Sequence, residues 1–229
     1  MKNQAAEKNK QNGLFPDAEL LPDYGLYTYE HYWSEQGYCF IAGTDEAGRG
    51  PLAGPVLAAA VILPSGINIP YLNDSKKLSP RRRAMLYDEV MAKASAVAWK
   101  RVDEDEIDRL NIYAASRFAM MQALAALPQP FDLVLSDAMP LPDLKVPCIP
   151  IVHGDALSAS IAAASIIAKV VRDRIMTEYD EEFPQYGFCR HKGYGTSEHL
   201  AALDSHGPCR IHRRSFAPIK TWRSPACED

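Results

Sequence analysis

Three short apolar runs in this chain each deliver an acid to a point where the backbone must turn. Cys39-Phe40-Ile41-Ala42-Gly43 leads through Thr44 to Asp45-Glu46, and then to Ala47-Gly48-Arg49-Gly50. Phe131-Asp132-Leu133-Val134-Leu135-Ser136 ends in Asp137, and Cys148-Ile149-Pro150-Ile151-Val152 leads to His153-Gly154-Asp155 at the opening of a long alanine-rich helical segment. Such β-type runs predict a sheet with the acids at its strand ends. If strands 1 and 4 are neighbours, Asp45, Glu46, Asp137 and Asp155 converge. Adjacent residues of a strand point to opposite faces, so Asp45 and Glu46 serve one site only if the backbone turns or one acts through its carbonyl. Gly48 and Gly50 permit that turn and let backbone N–H groups and an arginine lie against a phosphate. Taken alone, this segment reads equally as a β-turn with solvated acids.

Converging carboxylates need a counter-charge. Two unit charges ~4 Å apart repel by about 4 kcal/mol at an effective dielectric of ~20. An oxygen-only set favours Mg²⁺ or Mn²⁺ over zinc. Paired ions of this kind serve phosphoryl-oxygen chemistry.

The remaining pattern predicts a mixed sheet with helices. Pro55 to Leu63 reads as a buried second strand and Ala96 to Val102 as a third. Ser79-Pro80 places an N-cap and a first-turn proline before a helix carrying Leu86 and Val90 on one stripe. Asn111 to Leu127 repeats Ile112, Ala115, Phe118 and Met121 at helical spacing and is stopped by Pro128 and Pro130. Met120-Met121 and the SIAAASIIA stretch fit core packing. Residues 1–37 carry three lysines against six acids with little periodicity, which predicts a flexible extension ahead of a folded body over residues 38–222.

Composition bounds the class. A chain of 229 residues, 47% hydrophobic and 24% charged, suits one α/β core. No run approaches the ~18 apolar residues of a membrane span, and MKNQAAEKNKQNG lacks the apolar core of a signal peptide, so a cytoplasmic protein is expected. Five cysteines without a CxxC pair argue against a disulfide framework. Cys189, His191, His206, Cys209 and His212 crowd one stretch, but their loose spacing and interspersed glycines and prolines favour a loop over a zinc site. The net charge of −4 hides two basic clusters, one at Lys76-Lys77 with Arg81-Arg82-Arg83 and one from Tyr186 to Arg223. Either alone reads as a solvated face; together with an acid site they favour a surface that tracks a phosphate backbone. With no heptad or apolar stripe in evidence, a monomer is expected.

Against this background the chain resembles ribonuclease HII. The matching strings are GTDEAGRGPLAGPV from Gly43, NDSKKLSP from Asn73, SDAMPLP from Ser136, GDALSASIAAASIIAKVVRDRIM from Gly154, YGFCRHKGYGTSEHLAAL from Tyr186 and GPCRIHRRSF from Gly207, in family order. The resemblance implies a ribonuclease H-like mixed five-stranded sheet flanked by helices, with a helical C-terminal region. It implies an endonuclease that hydrolyses the RNA strand of RNA–DNA hybrids and cuts 5′ of ribonucleotides embedded in duplex DNA, with two Mg²⁺ or Mn²⁺ ions. Asp45, Glu46, Asp137 and Asp155 carry over as metal ligands and catalytic acids. Gly48, Arg49 and Gly50 carry over as the loop that reads the 2′-OH, a role that close backbone approach serves. Tyr194 carries over as the ring that holds the sugar 3′ of the cut, against the plainer reading of a packing tyrosine. Lys76 and Lys77, and with a weaker match Arg213 and Arg214, carry over as phosphate contacts. Another nuclease of this fold, or a hybrid-binding module without catalysis, is the alternative; the four acids count against the second. Pro225 to Asp229 offers no clear clamp-binding motif and leaves recruitment by a replication clamp open.

Overall fold

The computed structural model describes residues 23–222. The expected tail up to residue 22 and the C-terminal stretch considered for clamp binding lie outside them. β1 (Ile41–Ala47), β2 (Val56–Ile62) and β3 (Ala96–Val102) form an antiparallel meander. β4 (Leu133–Asp137) and β5 (Cys148–Ile151) continue it in parallel on the other side of β1, giving the order β3-β2-β1-β4-β5. The described helices are α1 (Thr28–Glu35), α2 (Pro80–Lys93), α3 (Glu104–Leu110), α4 (Ile112–Ala125), α5 (Ala159–Glu182), α6 (Phe188–His191) and α7 (Ser197–His206). The mixed five-stranded sheet expected from the sequence is present, and the alternation of runs and caps explains most of it. Ser79 caps α2 by accepting from the Arg82 N–H, and Asn111 caps α4 from the Ala114 N–H.

Helices cover both faces. On one, Ala115, Ala119 and Met120 of α4 pack against Ala42, Ala58, Ala60 and Val134. On the other, the alanines of α5 and Leu86 and Val90 of α2 pack against Leu57, Ala59 and Val61. Small residues let backbones touch. A Cβ at Gly43 would lie 2.1 Å from the carbonyl carbon of Ser160, so the first turn of α5 sits directly on β1. That contact ties the turn carrying Asp155 to the strand carrying Asp45. A fourth cluster joins Leu52 and Ala53 to Met176, Phe188, Leu203 and Ile211, and so fastens the C-terminal region onto the loop after β1. Among the described residues no helix is long and apolar enough to cross a membrane.

Two elements depart from expectation. α3, an acidic turn of helix, was not anticipated. More consequentially, the loose extension expected up to residue 37 is corrected over 28–37. Tyr29 and Trp33 of α1 are buried against Ile41, Leu133, Leu135, Ile149 and Ile161, and the Trp33 ring meets Tyr32 and Tyr38 edge-on at 5.1 and 5.5 Å. Glu30 Oε1 accepts from Ser158 Oγ (2.6 Å), the Ser160 N–H (2.9 Å) and Ser160 Oγ (2.7 Å), setting a carboxylate at the N-terminus of α5 where the helix dipole favours it. Aromatic burial outweighs the surplus of acids here. Trp33→Ala is therefore expected to cost about 3 kcal/mol of unfolding free energy, as for other large-to-small core changes. Urea denaturation checks this; an unshifted midpoint would return α1 to the status of a loose tail.

Candidate metal centre and nucleic-acid interface

The sheet register builds the acid cluster. β1 and β4 pair in parallel with Thr44 opposite Ser136, so Asp45 and Asp137 each follow one residue beyond that pair. β4 pairs with β5 at Asp137 and Ile151, and the chain then turns back through His153. Ala138 (φ 53°) and His153 (φ 59°) both adopt the left-handed conformation, a local strain that commonly marks functional turns. The result brings carboxylate oxygens of Asp45, Asp137 and Asp155 within 4.8 Å of one another.

These acids are held in place by their surroundings. Asp137 Oδ1 accepts from the Gly154 N–H at 2.8 Å. Asp45 is buried and bonded to Ser165 of α5, whose hydroxyl also lies 2.9 Å from that of Ser75. Asp74 caps the turn Ser75–Lys77, accepting from the Lys76 N–H, and this places Lys76 Nζ 3.0 Å from Asp155 Oδ2. Burial, then the charges of Glu46 and Asp137, pushes the Asp45 carboxyl well above the usual range. Burial and then Asp155 raise Asp137. Partial burial opposes the Lys76 ammonium, but its hydrogen bond and charge contact with Asp155 outweigh this and raise its pKa. Three acids with one lysine leave negative charge uncompensated, and their donors are hard oxygens. The residues therefore fit Mg²⁺ or Mn²⁺.

Glu46 stands apart from the three. Its Oε1 meets Arg49 Nη1 at 3.3 Å, while Oε2 is buried without a hydrogen-bond partner among the described residues. Burial raises its pKa against the opposing charge of Arg49, and Asp137 raises it further. The alternation of β1 accounts for the separation, since Asp45 and Glu46 leave the strand on opposite sides.

The predicted substrate residues divide in the same way. Arg49 and Gly50 are exposed at the turn after β1, and Gly48 has φ +97° with a virtual Cβ 2.1 Å from Arg172 Nε, so only glycine fits. Tyr194 is 45% exposed and its Cε1 lies 3.6 Å from a virtual Cβ on Gly50, which sets its ring beside the glycine loop and removes it from the core. Lys77 is turned away from the acids toward Asp74, at 3.8 Å. Arg214 is exposed, with its N–H on Asp108 Oδ2 at 2.7 Å. Arg213 is a correction: it is completely buried and bonds to backbone carbonyls under the glycine loop, so it cannot lie on a phosphate. Its neighbours His212 and Arg214 gave it the look of a basic surface in sequence. Ser165 and Arg172 were missed, the first inside an apolar run and the second inside a charged stretch that resembles a solvated helix face.

Within the Cys/His stretch His191 and His212 are buried and pack with His199, whereas His206 is exposed and Cys189 and Cys209 are half-buried. His199 Nε2 and His212 Nε2 lie 3.0 Å apart, His191 stacks on His199 at 4.5 Å, and His199 Nδ1 lies 3.0 Å from the Tyr194 carbonyl. Among the described residues this set is not a group that could share an ion, whereas the acids are. Burial lowers both His199 and His212 to about 4, with the charge of His199 next for His212. The unfolded imidazoles titrate near ~6.5, so stability from this pair is full above that pH and is lost as pH falls toward about 4. The raised carboxylates act in the opposite sense, so direct titration is the cleaner readout. Their Cε1–H resonances are expected to stay fixed between about pH 7 and about pH 5. A midpoint near ~6.5 for either would contradict a neutral buried pair.

A family model described as Ribonuclease HII matches residues 42–219. Ribonuclease HII of Geotalea uraniireducens is 53% identical over 213 residues, covering 93% of this chain and 97% of the relative. Among solved structures, ribonuclease H2 of Pyrococcus horikoshii superposes with a TM-score of 0.68 at 24% identity, covering 80% of this chain and 96% of that one. Ribonuclease HII of Archaeoglobus fulgidus, solved as a complex with PCNA, gives 0.63 at 24% identity, covering 77% and 95%. A family match running from the second residue of β1 to the buried Ile219, joined to a relative identical at more than half of the aligned positions, assigns the chain to the ribonuclease HII family of metal-dependent endoribonucleases.

Proposed function

We propose that this protein, acting as a monomer, hydrolyses the RNA strand of RNA–DNA hybrids and cuts 5′ of ribonucleotides embedded in duplex DNA, leaving 3′-hydroxyl and 5′-phosphate ends. The observation that carries this reading is the cluster of buried Asp45 and Asp155 with half-buried Asp137, beside an exposed Arg49, Gly50 and Tyr194. Asp45, Asp137 and Asp155, with Glu46 beside them, would hold two Mg²⁺ or Mn²⁺ ions, which supply Lewis-acid charge and lower the pKa of water.

The chain's own residues supply orientation. Gly154 and Ser165 fix the carboxylates of Asp137 and Asp45 before substrate arrives, the preorganisation that electrostatic catalysis requires. Lys76 is placed to leave Asp155 for the phosphate flanking the cut, and Lys77 and Arg214 track the backbone further out. Close approach at Gly48, Arg49 and Gly50 reads the 2′-OH, the group that separates RNA from DNA. The exposed Tyr194 ring packs against the sugar that follows. A binding module without catalysis has no use for clustered buried acids. Assays on three duplexes of one length, all-DNA, RNA–DNA hybrid and DNA with a single ribonucleotide, test the reading. Cleavage of the second and third but not the first is expected; cleavage of the first would refute it.

A further inference from the structure

Two arginines that the acid chemistry does not use are the largest fully buried side chains among the described residues: Arg172 and Arg213, each 0% exposed. A buried guanidinium ordinarily faces a carboxylate, because an isolated ion in the interior is costly. Here the hydrogen bonds run to main-chain carbonyls. Arg213 reaches Gly48 (2.6 Å), Arg49 (2.9 Å) and Gly54 (2.9 and 2.7 Å). Arg172 reaches Pro55 (2.9 Å), Ala53 (3.2 Å) and Lys192 (3.0 Å). Those acceptors fall on two segments, the loop after β1 and the turn that leads into Tyr194. A backbone bond joins the same segments, Leu52 N–H to Gly193 O (2.8 Å), and two more tie the loop after β1 to the segment that carries Arg213: Gly54 N–H to Ile211 O (2.9 Å) and Arg213 N–H to Leu52 O (2.9 Å).

The peptide plane converts this anchoring into a recognition surface. In a trans peptide the C=O and the following N–H point in opposite directions. Drawing the Gly48 and Arg49 carbonyls inward onto Arg213 therefore turns the N–H groups of Arg49 and Gly50 outward. Both residues are exposed, and neither N–H donates to another described residue. Successive outward amides form a concavity suited to anionic or hydroxyl oxygens. Burial, then the charge of Arg172, lowers Arg213 to about 9, which leaves it a cation at neutral pH.

We propose that Arg172 and Arg213 are positioning residues that lock the 48–50 loop and the Tyr194 turn into one rigid unit, and thereby set selectivity for the ribonucleotide-to-deoxyribonucleotide junction. The proposal rests on the function proposed above. Arg213→Lys and Arg172→Lys keep the charge, but a lysine lacks the planar fork that spans several carbonyls. Steady-state kcat and KM on the single-ribonucleotide duplex and on the long hybrid, with a melting temperature for each variant, form the test. Misplacement by about 1 Å costs on the order of 100-fold. The expected result is that order of loss in kcat/KM at the single ribonucleotide and on the order of tenfold less loss on the hybrid. Equal losses on both substrates, or none, overturn the proposal.

A second measurement needs no variant. In wild-type protein with chelator present to prevent cutting, the Arg49 and Gly50 amide resonances should move on adding the single-ribonucleotide duplex and not with the all-DNA duplex. Amides that respond alike to both overturn the proposal even if neither lysine variant folds. If the wild type cuts neither ribonucleotide-containing substrate, the proposed function fails and this inference falls with it. If it cuts both and the lysine variants are uniformly weakened, only this inference falls.

Discussion

Asp137→Asn is expected to abolish cleavage while leaving hybrid binding within about threefold, because basic contacts to the backbone dominate affinity. The expected loss of at least ~10³-fold corresponds to roughly 4 kcal/mol of transition-state stabilisation. Asparagine keeps the oxygen that accepts from Gly154 but removes a charge from a cluster already strained by burial and by its neighbours. For the same reason the metal-free variant should be more stable than the wild type, by about 1–3 kcal/mol. Single-turnover cleavage, fluorescence anisotropy and melting in chelator measure the three effects. A variant that keeps substantial Mg²⁺-dependent activity would show that the clustered acids are structural. Chelator should silence the wild type, and Mg²⁺ or Mn²⁺, but not Zn²⁺, should restore it.

Tyr194→Ala carries the second large effect. The ring is exposed and lies beside Gly50, whereas the backbone of the residue is held by His191 and His199 through bonds that alanine retains. Truncation should therefore leave stability within about 0.5 kcal/mol. A lost contact between an aromatic ring and the nucleic acid costs about 1–3 kcal/mol, which predicts roughly a 5–150-fold loss at an isolated ribonucleotide. On a long hybrid, where junction contacts matter less, the loss should stay below about fivefold. Equal losses on both substrates with a lowered melting temperature would make the residue structural.

Much of this site was legible because strand ends and acids coincide in the sequence. The runs before Asp45, Asp137 and Asp155 became β1, β4 and β5, and parallel pairing of β1 with β4 brought the acids together as expected. Glu46 was harder to place, since period-two alternation opposes any shared site for adjacent residues and its carboxylate is drawn to Arg49 by the turn that follows. Lys76 and Lys77 look alike in a row, yet the cap from Asp74 sends one to Asp155 and not the other. Arg213 was misread because burial of its guanidinium depends on the carbonyls of a single loop, at Gly48, Arg49 and Gly54, far away in sequence. α1 was misread because excess acid obscured Tyr29 and Trp33, whose burial is decided by the sheet they meet.

The most direct measurement is the position and chemistry of the cut in a DNA duplex carrying one ribonucleotide, read by end-group analysis of both fragments. Hydrolysis at clustered acids predicts a single cut on the 5′ side of the ribonucleotide, with a 3′-hydroxyl on the DNA and a 5′-phosphate on the ribonucleotide. A cut on the 3′ side that leaves a 2′,3′-cyclic phosphate would mean attack by the 2′-hydroxyl itself, and would contradict the assignment of Asp45, Asp137 and Asp155 as the centre of the chemistry.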